Sequence, residues 1–503
     1  MNILLIHQYA GNKGDRAVLY ATCSIIRSIA PSIHISVSTS SPELWEGYSY
    51  YQEQQIEFIP SAWDYTRIPR NKKYWNIINK IKKYTFTIMR ESYLSHCSSL
   101  VNRFLINPSF FEKARRADLV ISVGGHHFTT ILSKDLVSSI NFDAMAVMSM
   151  KKKTICFSQS FGPFDFHNPR NKKLTQRLLS NCSVLYPREE QSKQSLIDLG
   201  ISPSLIKGTY ETVISLNSLF PFHTQPSKRE KKIGIAIYST QQRSPEKHER
   251  YIKTFSSFCD FAVSKGYKVV FFPMELKGTL PDDRVLIKEI LNRVKQPNEC
   301  ECTYIDKDMP THEHLQEVAK CRIFIGHKTH STIFALTSGT PLIGIAYHPK
   351  TIEFMKQFNI EQYGIKDDEL TSKILENTFN RIEKELDTIG ENIVGDFMPE
   401  ALKSPQEIDI DLLAQDYLGM EQDFQYLSHY TCILYYISCS LSCLWHDVCK
   451  PLPKTKRNIP FHLFHNQPIL FYQHSNAYVC ICIWLLICLS YCQKQISNFW
   501  ISD

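Results

Sequence analysis

Three basic side chains stand together in GHKTHSTIFALTSGTP, residues 326 to 341. An apolar run ends at Gly326, His327, Lys328 and His330 follow, and an apolar helix-like run begins at once. Lys328 and His330 therefore fall at a helix N-terminus, where the macrodipole disfavours cations. An anion joined to them removes that cost, and the free N–H groups of a helix start add to such a site. Binding of a phosphate or carboxylate is the chemistry this pattern suits. Lys350, just past the next apolar run, follows the same logic. The plain alternative is a solvated basic turn.

Four further stretches carry polar residues at strand ends. In HQYAGNKGDRAVL (7–19), Gly11 and Gly14 let the backbone turn tightly and approach a ligand. Asp15 is placed to cap the following helix, whose N–H groups suit an anion or a sugar hydroxyl. The spacing is not G-x-G-x-x-G, so a dinucleotide is not expected. In DLVISVGGHHFTTIL (118–132) a buried strand ends in two glycines before His126 and His127, which are ligand candidates or structural loop histidines. SQSFGPF (158–164) offers Ser158, Gln159 and Ser160 to sugar hydroxyls, with ordinary turn chemistry as the competing account. YPREEQSKQSLIDLG (186–200) sets Arg188 at a strand end, where it can hold an anion in a two-pronged contact. Glu189 and Lys193 read as i,i+4 helix support. No carboxylate cluster has metal-ligand spacing, so no metal is expected.

These residues need a scaffold of strand ends, and the chain supplies one. Short β-branched runs at 3–7, 32–37, 119–123, 154–158 and 184–186 alternate with helix-like segments such as 15–29, where Ala17, Val18, Ala21, Ile25 and Ile29 share a face. The stretch 217–231 is polar with two prolines and reads as a linker. A second alternation follows, with strands at 233–238, 269–273, 303–305, 323–325 and 342–346 and helical patterns such as 251–263 and 314–319. The expected class is α/β: two doubly wound domains facing across a cleft, with ligands at the carboxyl ends of the strands.

The bulk properties agree with a large globular protein. The chain has 503 residues, 43% hydrophobic and 21% charged, with a net charge of +7. That charge favours an anionic ligand or a membrane surface without implying nucleic acid. MNILLIHQYAGNKGD lacks a basic n-region and reads as a first strand, so a cytoplasmic setting with free thiols is expected. RIPRNKKYWNIINKIKKY (67–84) is either a solvated helix face or a lid that touches anionic glycans or lipid headgroups. Residues 421–503 hold eight of the 16 cysteines and no glycine, and AYVCICIWLLICLSYC (477–492) is apolar. A tail anchor, an added helical hairpin and out-of-frame sequence compete there, and the cysteine excess without glycine favours the third. No paired C-x-x-C supports zinc.

Taken in order, GNKGDRAVL, DLVISVGG, SQSFGPF, REEQSKQSLIDLG and KTHSTIFALTSGTPLIGIAYHPKT resemble the polysaccharide pyruvyl transferase family over roughly residues 1–365. The resemblance implies a GT-B-like pair of Rossmann-like domains. Residues 1–220 would form the N-terminal, acceptor-side domain and 231–365 the donor-binding domain. C-terminal helices at 366–420 and the atypical Cys-rich apolar tail at 421–503 would follow. It implies transfer of a pyruvyl group from phosphoenolpyruvate to sugar hydroxyls, usually as a ketal, in a cell-surface polysaccharide or its lipid-linked precursor. Phosphoenolpyruvate would be a substrate, with no cofactor. The family's Arg-x-His signature stands here as Lys328-Thr329-His330, and its acidic residue after the Arg188 helix has Glu211 as nearest equivalent. Lys328 and His330 then become the phosphate site, with Arg188 and Lys350 as candidates for the carboxylate. His330 is the acid that protonates the donor, and Asp15, His126 or His127 orients or deprotonates the acceptor, with Asn12 and Gln159 beside them. The partners implied are the donor and a sugar or lipid-linked oligosaccharide, with no nucleic acid. The setting is the cytoplasm, with peripheral contact at the inner face of the membrane left open. Two alternatives stand: a GT-B glycosyltransferase using a nucleotide sugar, and a catalytically impaired glycan-binding relative.

Overall fold

The computed structural model describes residues 1–29, 31–45, 47–63, 84–96, 105–131, 138–208, 211–219, 225–239, 243–276, 281–295, 301–347 and 349–393. Most of the basic insertion at 67–84, part of the 217–231 linker, residues 394–420 and the whole 421–503 tail lie outside the described residues. Residues 1–65 and 106–418 form one compact unit that holds both sheets, and 66–105 with 419–503 form another. In the second unit the described residues 84–96 are largely helical.

The first sheet is built from β1 (Asn2–Gln8), β2 (His34–Thr39), β3 (Glu57–Pro60), β4 (Leu119–Ser122), β5 (Gly125–Phe128), β6 (Thr154–Phe161) and β7 (Val184–Pro187). All its pairings are parallel, in the order β3-β2-β1-β4-β6 with β7 on the far side of β6. β5 pairs with the last residues of β6 and so continues the line of β4 after the Gly124 turn. The second sheet contains β8 (Lys232–Ala236), β9 (Lys268–Phe271), β10 (Cys302–Tyr304), β11 (Ile323–Gly326), β12 (Leu342–Ala346) and β13 (Gly364–Lys366). It is also parallel, in the order β10-β9-β8-β11-β12-β13. Both sheets therefore reverse direction beside their first strand, between β1 and β4 and between β8 and β11. In doubly wound sheets the crevice at that reversal is where ligands bind.

Burial explains why these segments are strands. Every residue of β1 after Asn2 is buried, as are all of β4, β6, β8 and β11. Parallel strands covered by helices on both faces read as such unbroken apolar runs. β3, β5 and β13 were not expected from the sequence. β3 and β13 are edge strands of 4 and 3 residues, and β5 carries two half-buried histidines, so none shows an apolar run.

The two halves meet through helix α1 (Lys13–Ile29), which packs on the Thr311–Ala319 and Thr329–Thr337 helices of the second half. The Thr212–Ser215 turn packs against both α1 and the Thr329–Thr337 helix. Arg16 of α1 forms an ion pair with Asp308, Nη2 to Oδ1 at 2.7 Å, and Tyr48 donates to the same carboxylate at 2.8 Å.

Arg229 holds the far end of the second half. Its guanidinium, buried, donates to the carbonyls of Cys321, Ser338 and Gly339 and to Thr340 Oγ1. Burial pushes its pKa down to about 10. Arg229→Met leaves those acceptors without their donor, and hydrogen bonds to charged groups contribute about 1.5–3 kcal/mol each. The expected loss of unfolding free energy is about 3 kcal/mol, measured by urea denaturation of the full chain; an unchanged midpoint would remove Arg229 from the framework.

Candidate active site

The turn after β1 is fixed from both halves. Asn12 caps α1, its Oδ1 accepting from Gly14 N at 2.6 Å. Asp15, expected to be the cap, is instead the third helical residue. The reason is local: an Asn carbonyl one residue before a helix is a good cap, and the Lys13 N–H is bonded to Met274 O at 3.0 Å. Asn12 Nδ2 also donates to Glu275 Oε2 at 3.2 Å, and the two residues form an antiparallel bridge. The turn after β1 is thereby locked to residues 274–275 of the second half.

The turn after β11 carries the opening His-Lys-His group. His327 is fully buried, its Nδ1 2.8 Å from Tyr251 Oη and its Nε2 3.1 Å from Asp367 Oδ1. Burial lowers its pKa, so its expected part in an anion site becomes a structural one. Lys328 stands at the N-cap of the Thr329–Thr337 helix, and its Nζ donates to both oxygens of Asp283, at 3.1 and 2.9 Å. The sequence led us to expect that a cation here needs an external anion; a buried internal carboxylate supplies it instead. His330, two residues further on, is the second residue of that helix and is half-buried. Its ring is pressed against the backbone of Gly14: a Cβ there would fall 2.1 Å from His330 Cγ. Lys350 is the second residue of the Pro349–Lys356 helix, and its side chain lies outside the described residues.

The strand ends of the first sheet supply the remaining candidates. His126 Nε2 bonds Gly162 O, and the His127 ring lies 4.9 Å from the ring of His7. Burial, His7, His126 and Arg188 hold the His127 pKa well below the usual imidazole range, so this ring is neutral near pH 7. Gln159 is wholly buried, and its amide nitrogen donates to Ser122 O and Val123 O at 3.1 and 3.2 Å. Through that nitrogen it braces β6 against β4. Ser160 accepts from Arg188 Nε at 2.8 Å, and Ser158 accepts from Thr212 N at 3.0 Å. Arg188 is bonded through Nη1 to Glu211, which also accepts from Val213 N. The expected Glu189–Lys193 pair is replaced by Glu190–Lys193 at 3.3 Å; Glu189 is buried, its Oε1 accepting from Ser192 Oγ at 2.7 Å.

The acidic groups in the cleft do not ionise alike. Asp15 is pushed up to about 7, first by burial, then by Glu275 and Glu211, with Arg188 and Arg16 opposing. Glu275, also buried, is raised by desolvation, with Lys328 opposing. Asp283 accepts from Met274 N at 2.9 Å and Glu275 N at 2.8 Å besides holding Lys328. A carboxyl poised near neutral pH is suited to moving protons.

A family model described as polysaccharide pyruvyl transferase matches residues 12–349. The chain belongs to the polysaccharide pyruvyl transferase family. It is an enzyme of that family, with a part in polysaccharide biosynthesis. It is 22% identical over 390 residues to the amylovoran biosynthesis protein AmsJ of Erwinia amylovora, covering 72% of this chain and 87% of that protein. Among solved structures it is similar to the UDP-GlcNAc 2-epimerase of Neisseria meningitidis bound to UDP-GlcNAc, with TM-score 0.51 and 12% identity over 82% of this chain and 100% of that one. A co-structure of S. aureus MnaA with UDP gives TM-score 0.51 and 10% identity over 84% and 100%. At such identities the likeness is of fold, and the fold is GT-B-like.

Within this transferase the sequence reading missed His7, Lys13, Glu275, Asp283, Asp308 and Tyr347. Asp283 had a signal: PDDRVLIKEI opens with two aspartates, and Asp282 does cap the Asp283–Leu291 helix, accepting from Arg284 N at 2.9 Å. Tyr347 stacks on Tyr238 with centroids 4.5 Å apart at the mouth of the second sheet, which no local pattern announces.

The raised Asp15 pKa has a consequence for folding. Between its ordinary value of 3.8 and about 7 the folded chain holds a proton that the unfolded chain has lost. Stability therefore falls as pH rises through that window, and the penalty is complete above about 7. At about 1.4 kcal/mol per unit, it is at most on the order of 4 kcal/mol. Asp15→Asn should raise Tm at pH 8 and change it little at pH 4; equal shifts at both would show that Asp15 ionises normally.

Proposed function

We propose that this transferase moves the pyruvyl group of phosphoenolpyruvate onto two hydroxyls of a sugar, in a polysaccharide or its lipid-linked precursor, forming a ketal and releasing phosphate. The observation that carries the reading is the contact of His330 with Gly14, the residue that precedes Asp15 in the chain, whose carboxyl is poised near neutral pH. His330 gives a proton to the donor's methylene carbon, which becomes a methyl group and leaves an oxocarbenium ion at the adjacent carbon. The first sugar hydroxyl attacks that carbon and passes its proton to Asp15. Phosphate departs, restoring the cation, and the second hydroxyl closes the ketal, its proton leaving with the phosphate. Lys328 and Arg188 fix the donor's position, each already charge-balanced by its own acid. His127, neutral, and Asn12 are the proposed acceptor contacts. A lipid-linked acceptor would bring the protein to the cytoplasmic face of a membrane as a peripheral partner. Among the described residues no helix is long and apolar enough to cross one, and no three metal-ligating side chains cluster.

The test is phosphate release from phosphoenolpyruvate by the full chain, with and without a panel of free and lipid-linked glycans. Acceptor-dependent release is expected, rising as pH increases through about 7 as Asp15 ionises. His330→Ala should lower kcat by roughly 10²–10⁴-fold, the range of a general acid. No release, with phosphoenolpyruvate failing to raise Tm, would remove the donor assignment and favour the nucleotide-sugar alternative.

Gly14→Ala is a sharper probe of the geometry. Its methyl group overlaps the His330 ring, so the imidazole must move. A displacement of about 1 Å costs about 10²-fold in rate. Wild-type kcat in Gly14→Ala would show that the contact with His330 has no part in turnover.

A further inference from the structure

The cations around the cleft come with acids of their own. Lys328 is held by Asp283, Arg188 by Glu211 and Arg16 by Asp308. Lys13 differs. It is 3% exposed, and its Nζ has no hydrogen-bond partner among the described residues. Burying an ammonium without partners is costly. Asp308 and Asp283 attract it from a distance, but their oxygens are engaged by Arg16, Tyr48 and Lys328, and Arg16 and Arg284 repel it. Of these four cations Lys13 alone, from the first half of the fold, has no acid bonded to its charge among the described residues.

The place of that unpartnered ammonium follows from the backbone. Lys13 N is bonded to Met274 O, Met274 N to Asp283, and Asp283 to Lys328. The next residue, Gly14, touches His330. Lys13 therefore stands in the same ring of residues as the N-terminus of the Thr329–Thr337 helix, a favourable position for an anion.

We propose that Lys13, from the acceptor-side half, is a donor-binding residue whose ammonium receives the phosphate group of phosphoenolpyruvate across the cleft. This rests on the proposed function. In it the phosphate supplies the partner that the Lys13 ammonium lacks, and Lys13 balances the charge that accumulates as phosphate departs. The donor site is then complete only when both halves contribute.

The experiment separates ligand binding from turnover. Full-chain wild type, Lys13→Met, Lys13→Arg and His330→Ala are titrated by calorimetry with phosphoenolpyruvate and with inorganic phosphate, and Tm is recorded with and without each. Lys13→Met keeps the length of the side chain and removes the unpartnered charge, so without ligand its Tm should equal or exceed that of wild type. Its Kd for both anions should rise at least tenfold, about 1.4 kcal/mol, with the acceptor KM unchanged, and Lys13→Arg should recover most of the affinity. Wild-type affinity in Lys13→Met overturns the proposal, as does a fall in its Tm with binding intact, which would make Lys13 a clasp between the halves. Failure of wild type to bind either anion would overturn the proposed donor as well. Binding by wild type without turnover would set aside the reaction alone.

Discussion

The cleft depends on one wholly buried carboxylate. Asp283 accepts two backbone N–H groups, from Met274 and Glu275, and both of its oxygens meet Lys328. A carboxylate so far from water is tolerable only with its hydrogen bonds made. That requirement ties three separate pieces of chain together: the start of the Asp283–Leu291 helix, the segment after β9, and the N-cap of the Thr329–Thr337 helix. Because Met274 in turn accepts from Lys13, the first half is registered against the same point.

Around that anchor the chain keeps groups that are unfavourable for folding alone. Asp15 ionises only near neutral pH, the buried Lys13 Nζ has no hydrogen-bond partner among the described residues, and Glu275 is buried with its carboxyl accepting from Asn12. Lys13 departs from the rule that buried polar groups are matched, and all three lie on the two segments that the Asn12–Glu275 bridge joins. Local departures gathered at one place, in a fold otherwise well packed, mark a site whose own stability has been traded for chemistry.

The sheets were legible from the sequence because parallel strands are apolar throughout, as in Ile3–Ile6 and Ile323–Ile325. The edge strands and β5 were not, since their few residues carry no such run. The strand-end residues were legible as a set, because a doubly wound sheet places every such turn on one side. Their partners were not. Asp283, 45 positions from Lys328, and Glu275, 263 positions from Asn12, are brought in only by tertiary structure. Local spacing therefore described Lys328 as a bare cation and Gln159 as a free amide, when each had a partner that only the folded chain reveals. Gly14 illustrates the same limit: its spacing suggested a tight turn, while the demand on it is the absence of a Cβ beneath His330.

The replacement of the family's Arg by Lys at position 328 follows from this geometry. A guanidinium presents five donors in a fixed plane, whereas an ammonium is a compact charge. At 7% exposure, with both oxygens of one carboxylate within 3.1 Å, Lys328 needs only the compact charge. Its ammonium satisfies Asp283 and so holds residues 274 and 275 in place. In the proposed donor site, the positive charge that an arginine's extra donors would offer to an anion comes instead from the opposite half, at Lys13. Under that proposal Lys328 and Lys13 form one arrangement. A lysine that is neutralised in place requires a second, unneutralised lysine within reach of the same ligand, and the turn GNKGD supplies it at the residue between the capping Asn12 and the Gly14 that admits His330.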